Sequence, residues 1–426
     1  MKPLKAIVVG LGSAGDVHPN VGLALTLRDR GAEVLFVAPE VFRRLAERTG
    51  LNFVGIGSED EYYESIRDPD LWHPTRSFAV VARQLILPAL RPIYAIIEEN
   101  FDPGRTVVAA PGFAFGARIA QETLGTPLAT VHLQPIMLRS AIQPGCFGFP
   151  DILGHLPRPL RKVYFRLADR VIVDRPLLQA VNAFREELGL APVRRMFNSW
   201  IHSPQLVIGL FPDWYAQPQS DWPRNASLTG FPLWDESEVR SPSEELEKFL
   251  ANDEPTLVFT AGSAMLQAKR FFEVSVDVCK AASCRGLLLT QFPEQLPAQL
   301  PPGVRHFDYI PFSAVLPRSA ALIHHGGIGT TAQAIAAGIP QLIVPNAHDQ
   351  PDNAVRIKRL HIGDYLLPKA YTAGPLMGKL RVLLSREVKD NCKRVAQKVA
   401  RDSLLTACRL IEQLVTSRSV NAKICV

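Results

Sequence analysis

At 426 residues the chain is too long for one ordinary hydrophobic core and fits two domains of roughly 200 residues each. With 47% hydrophobic and 21% charged residues it is neither disordered nor fibrous, and a net charge of +6 over 47 basic and 41 acidic residues leaves no nucleic-acid footprint. Six cysteines (Cys146, Cys279, Cys284, Cys392, Cys408 and Cys425) stand apart with no C-x-x-C pair, so reduced thiols, no zinc site and a cytoplasmic location are expected.

Lys2 and Lys5 precede the apolar run Ala6 to Val9, which breaks into glycine almost at once and predicts a buried first strand rather than a signal peptide. Asn20 to Arg30 places Val21, Ala24 and Leu25 on one helical face, Gly31 stops the helix, and Val34 to Ala38 follows as a second strand. Phe78 to Ile97 is apolar, interrupted by Arg83 and Arg91, and suits either a core helix or the wall of a lipid channel. No stretch of about 20 apolar residues is expected to span a bilayer. Thr106 to Ala110 is a further strand, followed by a turn at Pro111-Gly112 and a helix from Phe115 to Leu124; between Pro135 and Leu160 proline and glycine crowd together. Arg158, Arg161, Lys162, Arg166 and Arg170 interleave with Leu156, Leu160, Val163, Phe165 and Leu167. That pattern fits an ordinary solvated helix face or a basic amphipathic surface for peripheral contact with an anionic membrane.

Strand-length apolar runs return at Thr256 to Thr260, Gly286 to Thr290, Ala320 to Ile323 and Gln341 to Val344, separated by helical segments such as Thr330 to Ala337. The polar run Asp235 to Ser243 is the linker candidate. The expected architecture is α/β, with two doubly wound parallel-sheet domains at 1–236 and 237–426, the final helices packing back on the first, and ligands at the C-terminal edges of the sheets.

Gly10, Gly12 and Gly15 have the G-x-G-x-x-G spacing of a dinucleotide loop, which makes an NAD-dependent oxidoreductase a competitor. Asp16 sits where a pyrophosphate would meet like charge, and a carboxylate there suits a general base, with a helix cap as its plain structural alternative. Farther on, His324-His325-Gly326-Gly327-Ile328-Gly329-Thr330-Thr331 closes a strand, turns on glycines and opens a helix. Such a turn aims backbone N–H groups, with His325 and the Thr330 and Thr331 hydroxyls, at an anion. Asp349 and Gln350 offer acceptors and donors suited to adjacent sugar hydroxyls.

The run from Phe307 to Asn353, with Gly12 to Pro19, resembles the GT-B nucleotide-sugar glycosyltransferases of the UDP-glucosyl, sterol and antibiotic family. Within that family it is most similar to the bacterial rhamnolipid-forming rhamnosyltransferases, through Asp68 to Trp72, Trp200 to Gln205, Trp222-Pro223 and Gly230 to Leu233. The resemblance implies an inverting transferase without cofactor or metal, moving a hexose (rhamnose or glucose) from a dTDP- or UDP-sugar to a lipid-like hydroxyl such as a hydroxyalkanoyl chain. Asp16 would be the base, with His18 in reserve. His325, Gly326, Gly327, Gly329 and Thr330 would hold the diphosphate, with Gly262 and Ser263 contributing; Asp349 and Gln350 would grip the sugar, and Tyr309 would stack on the base. Gln333 stands where plant relatives carry a ribose-binding glutamate, which loosens the case for UDP. Asp68 and Asp70 match a D-x-D motif but sit in a polar loop. A catalytically silent partner of the same fold is the non-enzymatic alternative.

Overall fold

The computed structural model describes residues 3–251 and 254–424, with side chains described through residue 415. Lys2 and Cys425 lie outside the described residues, and the other five cysteines are free thiols. The chain divides into two compact units: residues 1–145, 151–232 and 400–426 form the first, and residues 146–150 and 233–399 the second.

The first unit is built on a seven-stranded sheet of β1 (Lys5–Val9), β2 (Glu33–Pro39), β3 (Asn52–Ile56), β4 (Thr106–Pro111), β5 (Leu128–His132), β6 (Leu206–Gly209) and β7 (Ala226–Leu228), in the order β3-β2-β1-β4-β5-β6-β7. The second carries a six-stranded sheet of β8 (Thr256–Thr260), β9 (Arg285–Leu289), β10 (Val304–Phe307), β11 (Ala321–His324), β12 (Gln341–Ile343) and β13 (Gly363–Tyr365), in the order β10-β9-β8-β11-β12-β13. Every pairing is parallel, and the strands are short continuous runs of Val, Ile, Leu and Ala because helices cover a parallel sheet. In each sheet the order reverses beside the central strand, which puts a topological switch point at the C-terminal ends of β1 and β4, and of β8 and β11.

Several boundaries differ from the sequence expectation, each for a physical reason. The first helix runs Ala14–Asp29 and begins six residues earlier than Asn20. Gly15 and Pro19 read locally as breakers, but Ser13 supplies an extended N-cap and Asp16 accepts its N–H at 3.0 Å, which anchors the first turn. The linker expected at Asp235 is in part an ordered element of the second unit. Asp235 and Glu236 are buried, and Asp235 accepts the Ser313 N–H at 2.7 Å and the Ser313 hydroxyl at 3.1 Å at the start of helix Phe312–Val315. A polar run becomes structured when its carboxylates find orphan helix donors.

The helix spanning Ser77–Asn100 is, by length and composition, apolar enough to cross a membrane, which corrects the expectation that no such stretch exists. Its residues Ala82, Ile86, Ala89, Leu90, Ile93, Tyr94 and Ile97 are instead buried in one cluster with Phe115, Ala117 and Ile119 of helix Phe115–Thr123. Gly116 permits this approach: a Cβ there would lie 2.3 Å from the Leu90 carbonyl oxygen. That packing makes the segment core rather than channel wall. The C-terminal helix Ser403–Ile424 lies against the first helix, where Arg30 forms a two-pronged ion pair with Glu412 at 2.7 Å.

Candidate functional site

In the first unit, candidate chemistry gathers where β1 and β5 end. The turn after β1 brings the Asp16 carboxylate back over the loop: Oδ2 accepts the Ser13 N–H at 3.0 Å and its hydroxyl at 3.1 Å, while Oδ1 accepts the Gln134 amide at 3.3 Å. Burial raises the Asp16 pKa above the ordinary carboxylate value, against the lowering effect of the Ser13 and Gln134 hydrogen bonds. One oxygen therefore serves the helix cap, and the other faces a side chain from a different strand end. Cap and chemistry are compatible in this geometry, because a carboxylate has two oxygens.

Gly12 is held at φ +131°, and a Cβ there would lie 2.4 Å from Asp16 Oδ2. The space that the dinucleotide reading reserved for a pyrophosphate is thus filled by the protein's own carboxylate. His18 is partly buried on the same helix, two residues on. Gln134 was not anticipated from the sequence; its place directly after β5 was the available signal, since ligand sites collect at the C-terminal ends of parallel strands. Asp68 and Asp70 have other work. Asp68 caps a short helical turn by accepting the Asp70 N–H at 2.9 Å and also bonds Gln84 at 3.1 Å, while Asp70 pairs with Arg76 at 2.8 Å.

In the second unit, β8 and β11 pair so that Thr260 lies opposite His324, which sets the loop Gly262-Ser263 beside His325. Backbone closes on the His325 ring from two sides: a Cβ on Gly262 (φ +98°) would lie 3.0 Å from it, and one on Gly327 at 2.6 Å. The adjacent histidines divide their labour. His324 is fully buried, accepts the Gly326 N–H on Nδ1 at 3.1 Å and donates from Nε2 to Gln341 at 3.0 Å, so it braces the turn as a neutral ring, its pKa lowered by burial to about 3. His325 is lowered to about 4, again by burial, yet its buried Nδ1 has no hydrogen-bond partner in the protein.

The helix Ile328–Ala337 opens directly after this turn. Its Ile328 N–H donates to Asp349 Oδ2 at 3.1 Å, while the N–H groups of Gly329 and Thr330 make no hydrogen bond among the described residues. Those N–H groups and the Thr330 hydroxyl, next to the His325 ring whose Nε2 edge lies against Gly327, are donors of the kind a helix N-terminus offers an anion.

Five expected ligands are committed otherwise, wholly or in part. The Thr331 hydroxyl is buried and donates to the Gly327 carbonyl at 3.0 Å. Asp349 holds the helix start and Asn353, which donates to it at 2.8 Å, so it shapes the turn. Gln350 spends its carbonyl oxygen on the N–H groups of Asn346 and Ala347 at 2.7 and 3.2 Å, leaving only its amide NH2 for a ligand. Gln333 donates to the Leu233 carbonyl at 2.9 Å, so its amide ties the helix to the incoming chain. Tyr309 donates to the Asp235 carbonyl at 2.8 Å and has the Arg240 guanidinium 4.7 Å over its ring, beside a cavity of about 300 Å³ lined also by Ser243, Leu246, Phe307 and Pro311. A base stacking on Tyr309 would share the ring with Arg240.

Residues 6–143 match the glycosyltransferase family 28 N-terminal domain, and residues 288–410 match the erythromycin biosynthesis protein CIII-like C-terminal domain. The chain is 30% identical over 440 residues to O-mycaminosyltylonolide 6-deoxyallosyltransferase of Streptomyces fradiae, covering 98% of this chain and 99% of the relative. Its fold is similar to the glycosyltransferase of kitacinnamycin (TM-score 0.74, 20% identity, covering 97% and 100% of the two chains). It is also similar to the glycosyltransferase VinC, solved with dTDP (TM-score 0.69, 19% identity, covering 97% and 100%). These relatives are transferases of the antibiotic branch. They do not support the particular closeness to rhamnolipid-forming enzymes, and they do not favour the oxidoreductase or the silent-partner reading.

Proposed function

The chain belongs to the GT-B glycosyltransferases with a family 28 N-terminal domain and an EryCIII-like C-terminal domain, and from that premise we propose that it is an inverting, metal-independent hexosyltransferase using a dTDP-sugar in preference to a UDP-sugar. The observation that carries the donor assignment is the helix start of the second unit: two helix N–H groups without a partner among the described residues and the Thr330 hydroxyl, beside the His325 ring. A diphosphate supplies the acceptors those donors lack. The preference for dTDP rests on Gln333, whose amide is engaged with Leu233 and which offers a 2′-hydroxyl no carboxylate; the dTDP bound by VinC agrees with it.

In the step itself the acceptor oxygen forms a bond to the anomeric carbon as the bond from that carbon to the diphosphate oxygen breaks. The electron pair leaves with the nucleoside diphosphate, and the hydroxyl proton passes to Asp16. Gln134 and Ser13 aim the carboxylate, and burial raises its pKa above the ordinary carboxylate value, which strengthens its ionised form as a base. The helix N-terminus and His325 receive the charge on the leaving group.

The acceptor is a hydroxyl on a molecule of the antibiotic class. The name of the Streptomyces fradiae relative, which acts on O-mycaminosyltylonolide, supports this class. The hydroxyalkanoyl acceptor rested on the rhamnolipid resemblance, which the relatives do not support, and its secondary support, Phe78 to Ile97, is packed core.

Asp16→Asn tests the reading: the amide fills the same space but takes no proton. Transfer should fall by about 10²–10⁴-fold while dTDP binding by calorimetry is retained. A variant keeping more than about a tenth of the wild-type turnover removes Asp16 as the base.

A further inference from the structure

We infer that the helix Arg158–Ala168 of the first unit is a membrane-contact element that seats on an anionic lipid bilayer. This surface is independent of the transferase chemistry. Its bound side is defined by three residues spaced four apart. The Arg161 guanidinium donates to the carbonyls of Leu153 (3.1 Å), Ala141 (3.2 Å), Ile142 (2.8 Å) and Gly154 (2.9 Å). Phe165 has the Arg139 guanidinium 5.5 Å over its ring, and Asp169, in the turn that follows, is buried between Arg139 and Arg195.

With that side occupied, the apolar stripe of the helix faces outward. Leu160, Val163, Tyr164 and Leu167 follow the three-and-four spacing of one helical face, and Val171 extends it; Leu160, Leu167 and Val171 are 52%, 59% and 58% exposed. An amphipathic helix in a globular protein normally turns such a stripe into the core. Here no residue of the helix is buried. Ile142 and Ile152, in the two segments that Arg161 ties to the helix, are exposed as well. An exposed apolar helix face of this size marks a contact site.

The charge says what is contacted. Arg158, Lys162 and Arg166 line another side of the same helix, with Arg170 one turn on, and all four are exposed. The helix contains no acidic residue, and the adjacent Asp169 is buried in its ion pairs. A second copy of the chain would bring identical cations against these four, so self-association through this face is opposed. An anionic bilayer supplies both complements at once: acyl chains for the stripe and phosphate headgroups for the cations.

The test is co-sedimentation of the full chain with phosphatidylcholine vesicles prepared with and without phosphatidylglycerol. Binding is expected only with phosphatidylglycerol and should weaken with added salt. Lys162→Gln with Arg166→Gln should cost about thirtyfold in partitioning, from roughly fivefold per cation. Leu160→Gln with Leu167→Gln should cost about tenfold or more. Unchanged melting temperatures and unchanged transfer to a soluble acceptor would show that both double variants fold. Absence of binding to phosphatidylglycerol vesicles overturns the assignment, as does binding that survives both variants. A dimer in light scattering that the leucine variant dissolves also overturns it, assigning the face to a second copy; so does an acidic protein that takes the helix while vesicles do not.

Discussion

Replacing Gly12 by alanine moves one carboxylate and little else. Gly12 lies at φ +131°, where a side chain is strained, and its Cβ would stand 2.4 Å from Oδ2 and 2.8 Å from Cγ of Asp16. Non-bonded atoms settle near 3.5 Å, so the carboxylate must retreat by about 1 Å, away from the position in which Ser13 and Gln134 hold it. A misplacement of about 1 Å at a reacting group costs on the order of a hundredfold in rate. Backbone strain at such a position costs about 1–3 kcal/mol of stability, which is a few degrees of melting temperature. The donors assigned to the diphosphate lie in the other unit and are untouched. We therefore expect kcat to fall by about a hundredfold, followed by nucleoside diphosphate release at saturating donor, with dTDP affinity unchanged and a modest loss in melting temperature. Gly15→Ala is the control, because its Cβ meets nothing closer than the Ser13 hydroxyl at 3.7 Å and should leave turnover near wild type. A folded Gly12→Ala enzyme within about threefold of wild-type turnover refutes the claim that the carboxylate's position governs the rate.

Acid should destabilise the fold before it protonates exposed carboxylates. His202 and His324 are held neutral, lowered by burial to about 4 and about 3, so the stability they contribute is present above the unfolded value near 6.5 and is lost as pH falls from there. Melting temperature between pH 7 and pH 4 checks this, and a flat profile contradicts it. Asp169→Ala leaves Arg139 without its buried partner and should cost about 3–5 kcal/mol, read as a shift in denaturant midpoint. EDTA should leave transfer unchanged, because leaving-group charge is assigned to His325 and the helix end while Asp68 and Asp70 are engaged in local hydrogen bonds and an ion pair; activity lost to EDTA and restored by Mg²⁺ overturns that assignment.

The parallel architecture was legible in the chain because buried parallel strands must be continuous apolar runs: Thr256 to Thr260 coincides with β8 residue for residue, and the other six expected runs lie within a residue of β1, β2, β4, β9, β11 and β12, while β3, β5, β6, β7, β10 and β13 were not anticipated. The glycine turn after β11 was equally legible as a helix start, and helix Ile328–Ala337 opens there. What local pattern could not settle is which polar atoms remain for a ligand. His324 and His325 are adjacent and chemically identical, yet one is spent on Gly326 and Gln341 while the other keeps an orphan nitrogen. Asp349, Gln350 and Gln333 have the right chemistry for a sugar or ribose, but partners up to 100 positions away in sequence claim much of it. The same holds for the two amphipathic segments. Phe78 to Ile97 and Arg158 to Ala168 each carry an apolar face, and hydropathy ranks the first as the better candidate for lipid. Tertiary packing reverses that order, because helix Phe115–Thr123 covers the first, whereas Arg161, Phe165 and Asp169 bind the second by its opposite side and leave its leucines outside. Periodicity reports that a face is apolar; only the positions of the other elements decide what that face meets.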